Sequence, residues 1–170
     1  AMLALFERYD VAATWATVGA LFARDRDELR RAMPTVRPGY AGSPFDTAAL
    51  FDACGASEAD DPIRYAGSLI DAVLRAPRQE LATHTFSHFH CLYPTQRPAA
   101  FRAELEAAKR LAEARGVTLR SILFPCNHYG DRYLDITRQA GLVCFRGVPE
   151  AYPYRSTPAS GQTHARRHAR

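Results

Sequence analysis

The segment Thr83–His90, THTFSHFH, places three of the chain's six histidines within seven residues. Neutral imidazole is a ligand for zinc and for other borderline divalent ions. Such an ion lowers the pKa of its bound water from 15.7 to about 7, which creates a nucleophile at neutral pH. His84 and His88 are four positions apart. On one helical turn their side chains share a side and can reach a single ion, with the hydroxyls of Thr85 and Ser87 bracing the turn. The competing reading is a pair of hydrogen-bonded surface histidines at a strand end. His90 reads as solvent-exposed, with a third ligand as its alternative. A second short run, Pro125–Gly130 (PCNHYG), carries Cys126, Asn127 and His128.

Side chains so far apart in sequence converge only if rigid elements bring them together. Residues 2–9, MLALFERY, read as a helix, and VAATWATVG at 11–19 as a buried strand closed by Gly19. ALFARDRDELRRAM at 20–33 is amphipathic and helical, with Pro34 as its stop. From 34 to 62 prolines and glycines recur, which predicts a long irregular connection with a helical turn near 46–53. A helix over 63–76, a strand over 78–84 and a strong helix over 98–116 follow, the last capped by Gly116. LRSILFP at 119–125 reads as a strand, DRYLDITRQAG at 131–141 as a helix opened by Asp131, and LVCFRG at 142–147 as a fourth strand. Strands alternating with helices predict an α/β fold with parallel strands. Loops after the C-terminal ends of such strands share one rim, where sites form. Both histidine-bearing runs leave strands at that end.

Composition narrows the remaining classes. A chain of 170 residues, 47% apolar, is the size of one ordinary domain with a real core. No apolar run approaches the ~20 residues of a membrane span, and the N-terminus lacks a signal pattern. The chain begins at Ala1 rather than Met, which reads as a piece of something longer or a processed chain. The net charge is +4, Lys109 is the sole lysine, and much of the excess sits in HARRHAR at 164–170. That distribution argues against a nucleic-acid partner, which calls for a basic face in the folded part. Residues 151–170 read as a disordered basic tail. Cys54, Cys91, Cys126 and Cys144 form no C-x-x-C pair and read as reduced, buried small hydrophobes, which leans towards a cytoplasmic protein. Trp15, Phe22, Phe86, Phe101 and Phe124 read as packing residues, and Glu80 as a solvated charge at a strand end.

Three segments together resemble the polysaccharide deacetylase family, metal-dependent carbohydrate esterases, in its surface-polysaccharide branch. LFERYDVAATWATVGALF resembles a helix–strand segment of the family, and QELATHTFSHFH its second motif, H-[ST]-x-x-H. SILFPCNHYGDRYLDITRQAGLVCFRG resembles the segment that carries its third motif. The similarity covers about residues 1–148, so residues 1–150 are expected to form a partial deacetylase-like domain. The resemblance implies a distorted (β/α) barrel, incomplete at both ends, and removal of N-acetyl groups from a sugar or polysaccharide. It makes His84 and His88 ligands of a divalent metal, zinc in the first instance, and Pro125, Asn127 and His128 a substrate-binding wall. The family's first motif, an Asp-Asp pair supplying a third ligand and a general base, is expected before this segment, and its last motifs after it. The third motif normally has an Arg beside its Pro, where this chain has Cys126. Weak or absent activity of these residues alone is therefore expected, with a non-catalytic carbohydrate-binding relative as the alternative.

Overall fold

The computed structural model describes residues 1–147 except Ala41 and Pro44. The expected tail at 151–170 and the end of the expected domain at 148–150 lie outside the described residues.

Four strands form one open, all-parallel sheet in the order β1 (Ala13–Thr17), β2 (Gln79–Thr83), β3 (Ser121–Ile122) and β4 (Cys144–Phe145). Strand order follows chain order, so each helical connection returns the chain to the next position along the sheet. The α/β class and parallel pairing expected from the alternation of elements are present. β1 pairs with β2 over its whole length, from Ala13 opposite Gln79 to Thr17 opposite Thr83. β3 and β4 join through far fewer pairs.

Among the described residues the α-helices are α1 (Met2–Arg8), α2 (Arg26–Ala32), α3 (Ala48–Asp52), α4 (Gly67–Arg75), α5 (Pro98–Glu113) and α6 (Asp131–Gln139). α5 is the principal packing helix. Phe101, Leu105, Ala108 and Leu111 recur at helical spacing along its buried face. The ring of Phe101 lies 5.1 Å from that of Tyr133, 5.5 Å from Phe89 and 5.9 Å from Phe124. Phe22, Phe86, Phe101 and Phe124 are all buried, and Trp15 packs half-buried against the same core.

Several boundaries differ from the sequence reading, each for a physical reason. The strand at 11–19 is not buried. Only its 13–17 part is a strand, and burial there alternates because successive side chains point to opposite faces of the sheet, one of them open to solvent at Thr14 and Ala16. The helix expected over 20–33 is broken. A 3-10 turn over Gly19–Phe22 precedes α2, which starts only where Asp25 caps it by accepting a 2.7 Å bond from the Glu28 N–H. Glu28 in turn accepts from the Arg24 N–H at 2.7 Å, closing a reciprocal cap. The helix expected from 63 begins at Gly67. There Glu58 accepts the Ser68 N–H at 2.9 Å and satisfies one of the open donors of the first turn. The strands expected over 119–125 and 142–147 shrink to two residues each. Cys54 and Cys91 are buried as expected, whereas Cys126 and Cys144 are exposed. Glu80 is exposed but not idle: its carboxylate accepts from Thr14 on β1 and Ser121 on β3, tying three strands on the open face. Among the described residues, no helix is long and apolar enough to cross a membrane.

Candidate metal centre

β2 ends at Thr83, and the chain then makes a compact turn rather than a regular helix. Thr85 and His88 both adopt left-handed backbone, each with φ of 64°. Non-glycine residues seldom do so without outside support. Thr83 Oγ1 accepts from the Thr85 N–H at 3.0 Å, and Thr85 Oγ1 accepts from the Phe89 N–H at 2.7 Å. The segment after β1 also grips the turn: the Gly19 N–H donates to Thr85 O at 2.7 Å and the Ala20 N–H to Phe86 O at 3.0 Å. The hydroxyls expected to brace the turn do so, Thr85 from within and Ser87 through helix α5.

After β3 the second run closes over the first. Pro125–Asn127 form a single 3-10 turn in which Cys126 and Asn127 are left-handed, with φ of 54° and 53°. Four of the six left-handed non-glycine residues among the described residues therefore lie in these two loops. Strain gathered at one rim marks a site whose geometry the surrounding fold enforces.

The two loops meet through the histidines. His84 Nδ1 lies 2.7 Å from the carbonyl oxygen of Leu123, at the end of β3. A carbonyl only accepts, so Nδ1 carries the proton and Nε2 keeps its lone pair. The His84 and His88 rings stand edge to face with centroids 4.8 Å apart, and the His88 and His90 rings 4.9 Å apart. His88 Nδ1 is 3.2 Å from His90 Nε2, and His90 Nδ1 is 3.5 Å from Cys126 Sγ. This chain of contacts has two polarities. In one, His88 Nδ1–H donates to His90, whose Nδ1–H faces the sulfur, and His88 then presents a free Nε2 like that of His84. In the other, the thiol proton points inward and His88 Nε2 is protonated. Only the first suits a cation.

Burial, the leading cause, holds His84, His88 and His90 below the ordinary histidine range. For His84 the bond to Leu123 works against that, while His88 and Arg146 add to it. That direction favours the neutral ring, the state in which imidazole binds a metal. His90 is not the exposed bystander that the sequence suggested: it is half-buried and joins His88 to Cys126, and its own N–H is held by the Tyr40 hydroxyl.

The remaining expected site residues sit on the same rim. Pro125 is buried, Asn127 and His128 are half-buried, and Asn127 Oδ1 accepts from Arg146 at 2.9 Å. His128 lies close enough to His90 to lower its proton affinity. Sequence reasoning overlooked Tyr40, Arg146 and above all Glu104, a fully buried carboxylate on α5 that holds Ser87. Its signal was available. An acid lies between Phe101 and Ala108 on the apolar stripe of the clearest helix.

The donor set fits a metal ion in part. His84 offers an oriented Nε2, and His88 has one in the matching polarity. Among the described residues, no group of three or more His, Cys, Asp or Glu side chains is arranged to hold an ion. Compared with known proteins, the chain matches no protein-family model, no curated protein and no solved structure.

Proposed function

We propose that this chain is a hydrolase of the polysaccharide deacetylase type, removing N-acetyl groups from a sugar or polysaccharide with the help of a divalent ion, zinc in the first instance. On this reading the open parallel sheet is a section of a distorted (β/α) barrel. The observation that carries the proposal is the His84–His88 pair at the C-terminal rim, with His84 Nδ1 tied to Leu123 O and the rings 4.8 Å apart. A backbone carbonyl that fixes a ligand's tautomer and ring plane is a recurring support of metal-binding histidines.

His84 and His88 would hold the ion through Nε2. When bound, the ion supplies a polarised acetyl carbonyl and a water of lowered pKa. The chain's own residues do the rest. On this reading the His88–His90 contact takes the polarity that frees His88 Nε2. The Pro125–His128 turn forms one wall of the groove, and Arg146 fixes the Asn127 amide so that it presents a constant face to substrate. Two imidazoles hold zinc less firmly than three donors. A general base adds a further ~10²–10⁴-fold to the rate of such a reaction. With no third donor among the described residues, these 170 residues alone are expected to release little or no acetate.

The test is titration calorimetry with Zn²⁺ and Co²⁺, alongside acetate release from an N-acetylated oligosaccharide. Weak one-to-one metal binding that disappears in His84→Ala and in His88→Ala is expected. Binding unchanged in both variants would refute the ligand assignment, and brisk turnover by this chain would refute the expected weakness.

One observation favours a second reading, a non-catalytic carbohydrate-binding relative. Exposed Cys126 occupies the place where the family carries an Arg beside its Pro. Oligosaccharide binding without acetate release, in a version of the protein that binds zinc tightly, would select it.

A further inference from the structure

We propose that Glu104 is the positioning residue of the histidine turn: a carboxylate set into the core face of α5 that holds Ser87, and through it keeps His84 and His88 converged. This deepens the assignment of those histidines as ligands and rests on it.

Glu104 is 0% exposed. Its Oε2 accepts the Ser87 N–H at 2.7 Å and its Oε1 accepts the Ser87 hydroxyl at 2.7 Å. The ion pairs formed among the described residues do not include it. A buried carboxylate without a cation is costly, and an apolar side chain here would continue the stripe of Phe101, Leu105 and Ala108. Packing therefore gives no reason for an acid at this position.

The geometry of the turn does give one. Ser87 lies between the left-handed residues Thr85 and His88. Thr83 and Thr85 hold the turn on either side through their own hydroxyls. Ser87 is the remaining point: its backbone N–H and its hydroxyl both donate to one carboxylate. A two-point acceptor fixes the direction of the Ser87 backbone and hence the course of the chain into His88. A cavity of about 220 Å³ borders Ser87, Glu104, Phe86 and Tyr40. Without the carboxylate, the turn has space into which to relax.

The experiment uses the whole 170-residue chain with Glu104→Gln, Glu104→Ala and Ser87→Ala. Long-range ¹H–¹⁵N NMR of the imidazoles, without metal, reads the His84 tautomer. Titration with Co²⁺ reads affinity and the visible spectrum of the bound ion. In the wild type His84 is held as the Nδ1–H form. Glu104→Ala is expected to give mixed tautomers and a loss of Co²⁺ affinity of about tenfold or more. Glu104→Gln keeps an acceptor for the Ser87 N–H and a partner for its hydroxyl, so it should restore both readouts to within about threefold. A folded Glu104→Ala with the wild-type tautomer and affinity overturns the proposal. Should that variant fail to fold, Ser87→Ala decides instead, because it leaves the core and the backbone bond intact: an unchanged tautomer and affinity there overturn it equally. If the wild type binds no Co²⁺, the ligand assignment fails, and the tautomer readout still judges Glu104.

Discussion

Replacing Glu104 by glutamine should make the protein more stable at alkaline pH and leave it nearly unaffected in acid. Burial pushes the Glu104 carboxyl up from its ordinary 4.5 to about 7, against the opposing pull of hydrogen bonds from Ser87 and, more weakly, from the Phe86 backbone and the Thr85 side chain. In the unfolded chain the group titrates at its ordinary value. Between the two values the native state binds the proton and the unfolded state does not, so stability falls as pH rises. The favourable contribution of the protonated form is fully present below 4.5 and is lost as pH passes through about 7. At about 1.4 kcal/mol per pH unit, that gap amounts to about 3 kcal/mol. Glutamine carries no charge at any pH and escapes the loss. Urea unfolding followed by the fluorescence of Trp15, the sole tryptophan, measures the difference. With a slope of about 2–3 kcal/mol/M, the midpoint gap between variant and wild type should widen by about 1 M or more from pH 4.5 to pH 8.5. The half-buried histidines occur in both proteins, so their contributions cancel in the comparison. A gap that does not change with pH would refute the reasoning. A gap that narrows as pH rises would show that the two Ser87 bonds outweigh desolvation and hold the carboxylate ionised in the fold.

Three further outcomes are expected from packing and exposure. Phe101→Ala removes a ring in contact with Phe89, Phe124 and Tyr133, and should lower the free energy of unfolding by about 3–5 kcal/mol in the same urea assay. Gly19→Ala places a Cβ 2.7 Å from that of Ala108 and 2.8 Å from its Cα, so α5 must shift away from the histidine turn. A loss of about 1–3 kcal/mol, seen as a lower urea midpoint, is expected. An aromatic disulfide reagent should titrate two thiols of the native chain, Cys126 and Cys144, and all four in denaturant; rapid reaction of Cys54 or Cys91 in the native state would contradict their burial.

The elements legible in the sequence were those specified locally. α5 and α6 show helix formers, apolar periodicity and an acid or proline at the start. The order of strands and helices followed from them. Errors arose where neighbours decide. Val, Thr and Trp gave residues 11–19 the composition of a strand, but composition does not say whether one partner strand or two will flank it. Among the described residues β1 has only β2 beside it, and its burial alternates. β3 and β4 pair over two residues because pairing partners, not propensity, set their ends. The break at Asp25 was readable in principle, since D-R-D-E at 25–28 carries its own cap signal, but the amphipathic pattern running through it hid the stop. At the site, the placement of the two loops on one rim followed from parallel topology, while the environment of His90 did not. Its half-burial depends on a left-handed residue at His88 and on Tyr40 arriving from a loop fifty positions away.

Among the described residues, four of the six left-handed non-glycine residues gather at one rim. Left-handed Thr85 and His88 lie on the turn that the unpaired Glu104 supports, and left-handed Cys126 and Asn127 lie in the loop that closes over it. Each such residue costs on the order of 1–3 kcal/mol, and the buried charge adds to the sum. The same turn is anchored in the core, with Phe86 and Phe89 fully buried and the ring of Phe101 5.5 Å from that of Phe89. A surface loop without a task is free to relax such backbone. The fold instead anchors the turn by its two phenylalanines and holds the intervening polar residues in strained positions. On the proposed reading, the orientation of those imidazoles is what the strained turn maintains.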